Sequence, residues 1–384
     1  MTSSLHLPTL IAWLGFLAGG VFGAVAQRAN FCTMGAITDI VAFGDWRRMR
    51  MWVLAIAVAI AGVAVLQRFG AIDTAKSLYT GTRIAILSLV VGGFLFGFGM
   101  TLGSGCGSKT LIRIGGGSLK SLIVMIFLGL AAFMTLKGLF AIWRAAALDP
   151  VRIDLGATTS DLPALLVAAG APAVAAMLPF VLALAIALWV FASRDFRRSR
   201  EMVVGGLVIG AVVVAGWYIT GHVGHLTEDP ATLEERFVGT NSGRMESFSY
   251  VAPVAYLFEL LVYWTDASRI VTFGIASALG TIAGAALMAL ATRTFRWEGF
   301  TSTDDLVHHI AGGTLMGFGG VTALGCTIGQ GISGVSTLAV GSFIALASIV
   351  AGCVAALHYQ MWRVERAAPG AEVNGAARPD VSSA

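Results

Sequence analysis

Long apolar runs separated by short polar connections set the pattern of this chain almost from end to end. Nine runs, near 8–27, 51–67, 84–104, 119–140, 172–192, 201–221, 270–291, 308–324 and 337–357, approach the roughly 20 apolar residues that a helix needs to cross a bilayer. Four shorter apolar stretches, 31–41, 106–114, 248–264 and 326–336, cannot span and read as short or re-entrant helices. Non-helical backbone at membrane depth survives only where protein buries it or where it lines a cavity. The pattern predicts an all-α polytopic membrane protein with about nine transmembrane helices plus short re-entrant helices.

Composition supports that class. Hydrophobic residues make up 57% of the chain and charged ones 12%, where a soluble domain carries about 25% charge. The 48 glycines also suit membrane helices, in which glycine is more frequent. No basic residue precedes the apolar segment 7–25, so it reads as the first span and not as a cleaved signal peptide. The placement of charge then predicts orientation. Arg28, Arg47, Arg48 and Arg50 follow the first run, Lys109, Arg113 and Lys120 the third, and Arg194, Arg197, Arg198 and Arg200 the fifth. Arg293 and Arg296 follow the seventh run, and Arg363 and Arg366 the ninth. These are alternate loops, and the positive-inside rule makes them cytoplasmic. The long segment 222–269, with Glu228, Asp229, Glu234, Glu235 and Glu246, falls on the other side. The N-terminus is then outside and the C-terminus inside, and the Ala/Pro/Ser-rich tail 363–384 reads as disordered.

A repeat divides the chain. GGFLFGFGMTLGSGC (92–106) and GGTLMGFGGVTALGC (312–326) lie 220 residues apart and agree at eight of fifteen positions. The two copies are an odd number of spans apart, so the halves have opposite topology. That gives a first half of residues 1–195 and a second of 196–362. An inverted repeat with glycine-interrupted helices points to a substrate site near the midplane. The glycines themselves admit two readings, close helix packing or breaks that let backbone approach a ligand. Those around the cysteines are expected to break the helices.

Four cysteines are present, and none forms a C-x-x-C pair, which removes a thioredoxin-like dithiol and a zinc knuckle. Cys32, Cys106 and Cys326 each follow the end of a long run and open a short stretch. Each can sit at a helix N-terminus, where N–H groups and the dipole attract anions and favour thiolate character. Such a site suits an anion that carries a soft sulfur. Cys353, inside IVAGCVAAL, reads as core filler. The binding residues expected are Cys32, Cys106, Cys326, Gly105, Gly107, Lys109, Gly325, Thr327 and Gln330. Glu259 is expected to be a paired interfacial acid, and Ser302 to Asp305 a capping box. His222 and His225 are not expected to hold a metal. A membrane thiol enzyme, either a sulfurtransferase or a redox relay, and a cation or metal channel remain as alternatives. The spans lack the acid and histidine clusters of the channel.

The segments FGAVAQRANFCTMGAITDI (22–40), GFGMTLGSGCGSKTLIRIGGGSLKSL (97–122) and 295–342, which contains GCTIGQG (325–331), resemble the YeeE/YedE family of bacterial sulfur-transport membrane proteins. The likeness covers roughly 1–363. It implies an hourglass-shaped inner-membrane transporter, not an enzyme, that takes up thiosulfate or a similar sulfur anion; other members carry other sulfur or selenium compounds. Three cysteines, matching Cys32, Cys106 and Cys326, would pass the ion through the centre by S–H···S contacts. The resemblance implies no cofactor, metal or nucleic acid. Its partners are membrane lipids and a cytoplasmic TusA-type sulfur carrier, for which the tail after Arg363 is too short to be a fused copy.

Overall fold

A computed structural model describes residues 6–229, 233–266 and 268–367. The chain runs through α1 (His6–Arg28), α2 (Thr33–Phe43), α3 (Arg47–Arg68), α4 (Ile86–Leu102), α5 (Gly107–Gly115) and α6 (Leu119–Lys137). It continues through α7 (Leu139–Trp143), α8 (Leu162–Ala168), α9 (Pro172–Ala192), α10 (Arg194–Arg198) and α11 (Arg200–Tyr218). The last part holds α12 (Ala252–Val262), α13 (Phe273–Ala291), α14 (Thr303–Thr322) and α15 (Val340–Ala367). Among the described residues, strands are confined to two short antiparallel pairs in the connections, 83–84 with 153–154 and 225–226 with 236–237. The protein is all-α.

Eight helical stretches among the described residues are long and apolar enough to cross a membrane. The remaining run, the eighth, forms a helix of full length, α14, but Asp304, Asp305, His308 and His309 in its first two turns make it more polar than the rest. All four short stretches are helical. Three are α2, α5 and α12, and the fourth holds a π-helical turn at Gly329–Gly334. One boundary needs correction. Helix α15 continues to Ala367, past the point where the disordered tail was expected to begin, and residues 368–384 lie outside the described ones.

Glycine decides which helices meet. A Cβ at Gly19 would lie 2.2 Å from the Ser277 carbonyl oxygen, and one at Gly23 2.0 Å from that of Thr281. Backbone therefore touches backbone along the parallel pair α1 and α13, as small-residue membrane interfaces do. The pair α3 and α11 is parallel too, with Gly206 against the Met51 carbonyl and Gly210 against that of Ala55. The repeated helices α4 and α14 cross antiparallel. Gly92 packs on Gly319 and Gly99 on Gly312, so each copy uses the same two positions of the motif against the other. Their outer flanks match as well. Gly93 and Gly97 receive α15, while Gly313 and Gly317 receive α6. The glycines within α4 and α14 are thus packing residues.

The charged groups that enter the apolar body are mostly paired. Glu259, 3% exposed, accepts Lys137 and Arg269 at 2.6 Å each on one carboxylate oxygen. The Ser302 hydroxyl caps α14 through the Asp305 N–H at 3.1 Å. The reciprocal half of a capping box is missing, because the Asp305 carboxylate binds Lys120 at 2.7 Å.

Candidate functional site

The helices α1 and α4 and the later helix α14 end alike. In each, an N–H bonds the carbonyl five residues back: Phe31 to Ala26 at 2.9 Å, Gly105 to Met100 at 2.8 Å and Gly325 to Gly320 at 2.8 Å. The residue just before is left-handed, namely Asn30 at φ 52°, Ser104 at φ 57° and Leu324 at φ 58°. This is a Schellman end, which commonly uses glycine at the left-handed position. Here the break falls on non-glycine residues, contrary to the expectation from the clustered glycines. Each such residue costs on the order of 1 kcal/mol, a form of strain that gathers at functional sites. In α4 and α14 glycine serves the position after it. A Cβ on Gly105 would stand 3.2 Å from Lys109 Cγ, and one on Gly325 3.1 Å from the Gln330 nitrogen. Its absence lets the chain fold back at once into the next helical segment.

Each break delivers a cysteine to the start of that segment. Cys32 is the N-cap of α2, its sulfur accepting the Gly35 N–H at 3.3 Å. Cys106 is the N-cap of α5, with its sulfur 3.2 Å from the Ser108 hydroxyl. Cys326 accepts the Gly329 N–H at 3.4 Å. All three thiols are buried and free. They are also neighbours: Cys32 and Cys106 face each other, and the Thr327 side chain lies against Cys106.

Lys109 completes the cluster. It is 9% exposed and donates to the Asn30 amide oxygen at 2.7 Å. The titratable groups around it are the Cys32 and Cys106 thiols and the Arg113 and Arg48 guanidinium groups, and no Asp or Glu pairs with it among the described residues. Arg48 lies over the first turn of α2, its guanidinium 2.3 Å from where a Gly35 Cβ would be. Three helix starts, a buried ammonium and two guanidinium groups thus lie around the thiols, and of these cations Arg48 is paired, with Asp39 at 3.3 Å. Helix N-termini and cations both favour an anion.

The remaining sequence-predicted residues divide. Gly107 faces Tyr250 of the segment leading into α12. Gln330 is held structurally, its amide donating to the Ala323 carbonyl at 2.5 Å and accepting from Ser342 at 2.6 Å. Cys353 packs in the core and accepts the Thr101 hydroxyl at 3.3 Å. His225 binds Glu235, and His222 meets the Ala71 carbonyl. A cleft of about 30 Å³ lined by Tyr79, Arg83, Leu324, Gln330 and Ser342 reaches the break before Cys326. Asn30, Ser108 and Thr33 are not among the binding residues expected from the sequence, although all three stand within three residues of a cysteine. Proximity to the thiols was the only available signal. Tyr250 carried none, being distant in sequence from every cysteine.

Comparison with known proteins agrees on one class. A family profile described as sulphur transport matches residues 28–355. The thiosulfate transporter TsuA of Spirochaeta thermophila is 27% identical over 349 residues, covering 88% of this chain and 96% of that protein. The Escherichia coli thiosulfate transporter TsuA is 24% identical over 359 residues, covering 88% of this chain and 91% of its own. The probable transporter YedE of Salmonella typhimurium is 28% identical over 113 residues, 29% of this chain and 26% of its own.

Proposed function

The chain belongs to the sulphur-transport family as a multi-pass membrane protein, and from that premise we propose that it imports thiosulfate or a closely related sulfur oxyanion. The observation that carries the reading is Lys109, a buried ammonium that among the described residues bonds only a neutral amide and is set beside two thiols at helix N-termini. An unpaired buried cation is unfavourable unless an anion arrives to pair with it. The thiols add a soft contact for the ion's terminal sulfur.

The path enters by the cleft at Arg83 and Leu324, meets Cys326, then Cys106 with Thr327, and leaves past Cys32 toward Arg48 and Arg113. Three weak stations in series let an ion leave as readily as it enters. The halves 1–195 and 196–362 have opposite topology in this reading, supported by the reciprocal contacts of Gly92 with Gly319 and Gly99 with Gly312. The basic loops face the cytoplasm of a bacterial inner membrane, with the N-terminus outside. A cytoplasmic sulfur carrier would collect the ion there.

The test is uptake of sulfur-labelled thiosulfate into proteoliposomes, comparing wild type with Cys106→Ala and Cys326→Ala. Uptake by wild type that disappears in both variants, at equal protein insertion, is the expected result. Wild-type rates in either variant would remove that thiol from the path.

A further inference from the structure

We propose that Thr33 and Thr327 select for an oxygen-bearing sulfur anion, their hydroxyls donating to its oxygens while the neighbouring thiols meet its terminal sulfur. This rests on the reading of the site given above and names two residues that decide its specificity. Five buried side-chain nitrogen or oxygen atoms lack a hydrogen-bond partner among the described residues, and two are the hydroxyls of Thr33 and Thr327. Each belongs to the residue directly after a site cysteine. A third is the indole N–H of Trp52, whose ring lies against Gly331 in the segment that Cys326 opens.

Other helical threonines of this chain are satisfied locally. Thr38, Thr110, Thr135, Thr220, Thr314 and Thr322 each donate to the carbonyl four residues earlier, at 2.7 to 3.2 Å. Thr327 lacks that bond, because the left-handed break at Leu324 separates it from the helical turn before it. Its hydroxyl stands near the Cys106 thiol, without the geometry of a hydrogen bond to it. Thr33, 2% exposed, stands at the first position of α2, where the chain before it turns away at Asn30. A buried hydroxyl without a partner destabilises the fold, and polar groups left unsatisfied at a binding site are those a ligand can satisfy.

The chemistry separates two contacts. A thiol and a helix start favour a soft, anionic sulfur. A hydroxyl is a hard donor whose best acceptor is an anionic oxygen. A sulfur anion without oxygens gains nothing from Thr33 or Thr327, so both residues discriminate thiosulfate from hydrosulfide.

The experiment uses the full-length protein as wild type and as Thr33→Val, Thr327→Val and the corresponding Ser variants. Thermal unfolding is recorded with and without thiosulfate, and thiosulfate uptake is measured with hydrosulfide as competitor. Each Val variant should unfold at the same or a higher temperature than wild type without ligand, since an unsatisfied hydroxyl has gone. Its apparent affinity for thiosulfate should fall about tenfold or more, as loss of a hydrogen bond to a charged group implies. Inhibition by hydrosulfide should stay as in wild type, and Ser should restore affinity for thiosulfate. Wild-type affinity in both Val variants would overturn the proposal. So would a lower ligand-free unfolding temperature in Val that Ser repairs, which marks a structural hydroxyl. A wild-type protein that neither binds nor transports thiosulfate would overturn the reading of the site itself, a failure visible before any variant is made.

Discussion

Replacing Lys109 by Met keeps the length of the side chain and removes its charge. Lys109 is 9% exposed and bonds Asn30 at 2.7 Å, so it cannot swing to solvent without breaking its one anchor. A unit anion about 4 Å from the ammonium gains roughly 4 kcal/mol at an effective dielectric constant of about 20. Part of that gain is offset by stripping water from the ion, so we expect about half to appear in transport. At roughly 1.4 kcal/mol per tenfold, uptake at low thiosulfate concentration should drop by about 30-fold or more. The fold should respond in the opposite sense, because a buried ion without a countercharge is unfavourable and an apolar isostere is often neutral or stabilising. The assay is initial-rate uptake into proteoliposomes at graded thiosulfate, beside thermal unfolding of the same preparations. Uptake within two- to threefold of wild type would refute the role of Lys109 as the anion's countercharge. A large drop in unfolding temperature would refute the claim that its charge is unfavourable without a ligand.

Two further predictions concern the frame around the site. Gly284→Ala places a Cβ 1.9 Å from the Gly20 carbonyl oxygen, and overpacking of this kind typically destabilises by about 1–3 kcal/mol. Its unfolding temperature should fall, while Gly299→Ala, with nothing within 4 Å, should match wild type; equal effects would refute the backbone-to-backbone account of α1 and α13. In the connection before α12, burial pushes the Glu246 carboxyl from 4.5 up to about 7, against the opposing bond from Ser242. A raised folded-state value means the fold favours the protonated form, so stability should fall as pH rises from about 4.5 to about 7 and level off above. Glu246→Gln should flatten that slope in unfolding measured across this range, and parallel curves for the two proteins would contradict the assignment.

Much of the site was legible because its logic is local. A cysteine two residues beyond a helix break lands at the next helix start whatever surrounds it, so Cys32, Cys106 and Cys326 could be singled out from spacing alone. Lys109 was legible as a nearby cation but not as a buried one, since burial depends on Asn30 and α2 closing over it. Gln330 was misjudged for the same reason. Its amide looks available in the sequence, and only the fold brings the Ala323 carbonyl and Ser342 to both of its ends. Thr33 was invisible, because a threonine after a cysteine carries no signal until its hydroxyl is seen to lack a partner.

The membrane class, the long and short helices and the paired segments are written in the order of residues, because hydrophobic length and repetition are properties of the chain read in order. That order also determined that glycine would matter, without saying how. Tertiary structure decided that the glycines inside α4 and α14 are contact surfaces while the breaks fall on Asn30, Ser104 and Leu324. A glycine's missing side chain serves close packing and free backbone rotation equally well. Only the neighbour that fills the space, or the dihedral angle that uses the freedom, separates the two. The gathering of thiols, ammonium and unsatisfied hydroxyls at one point is likewise tertiary, since it joins residues about 300 positions apart through helix contacts that no local pattern encodes.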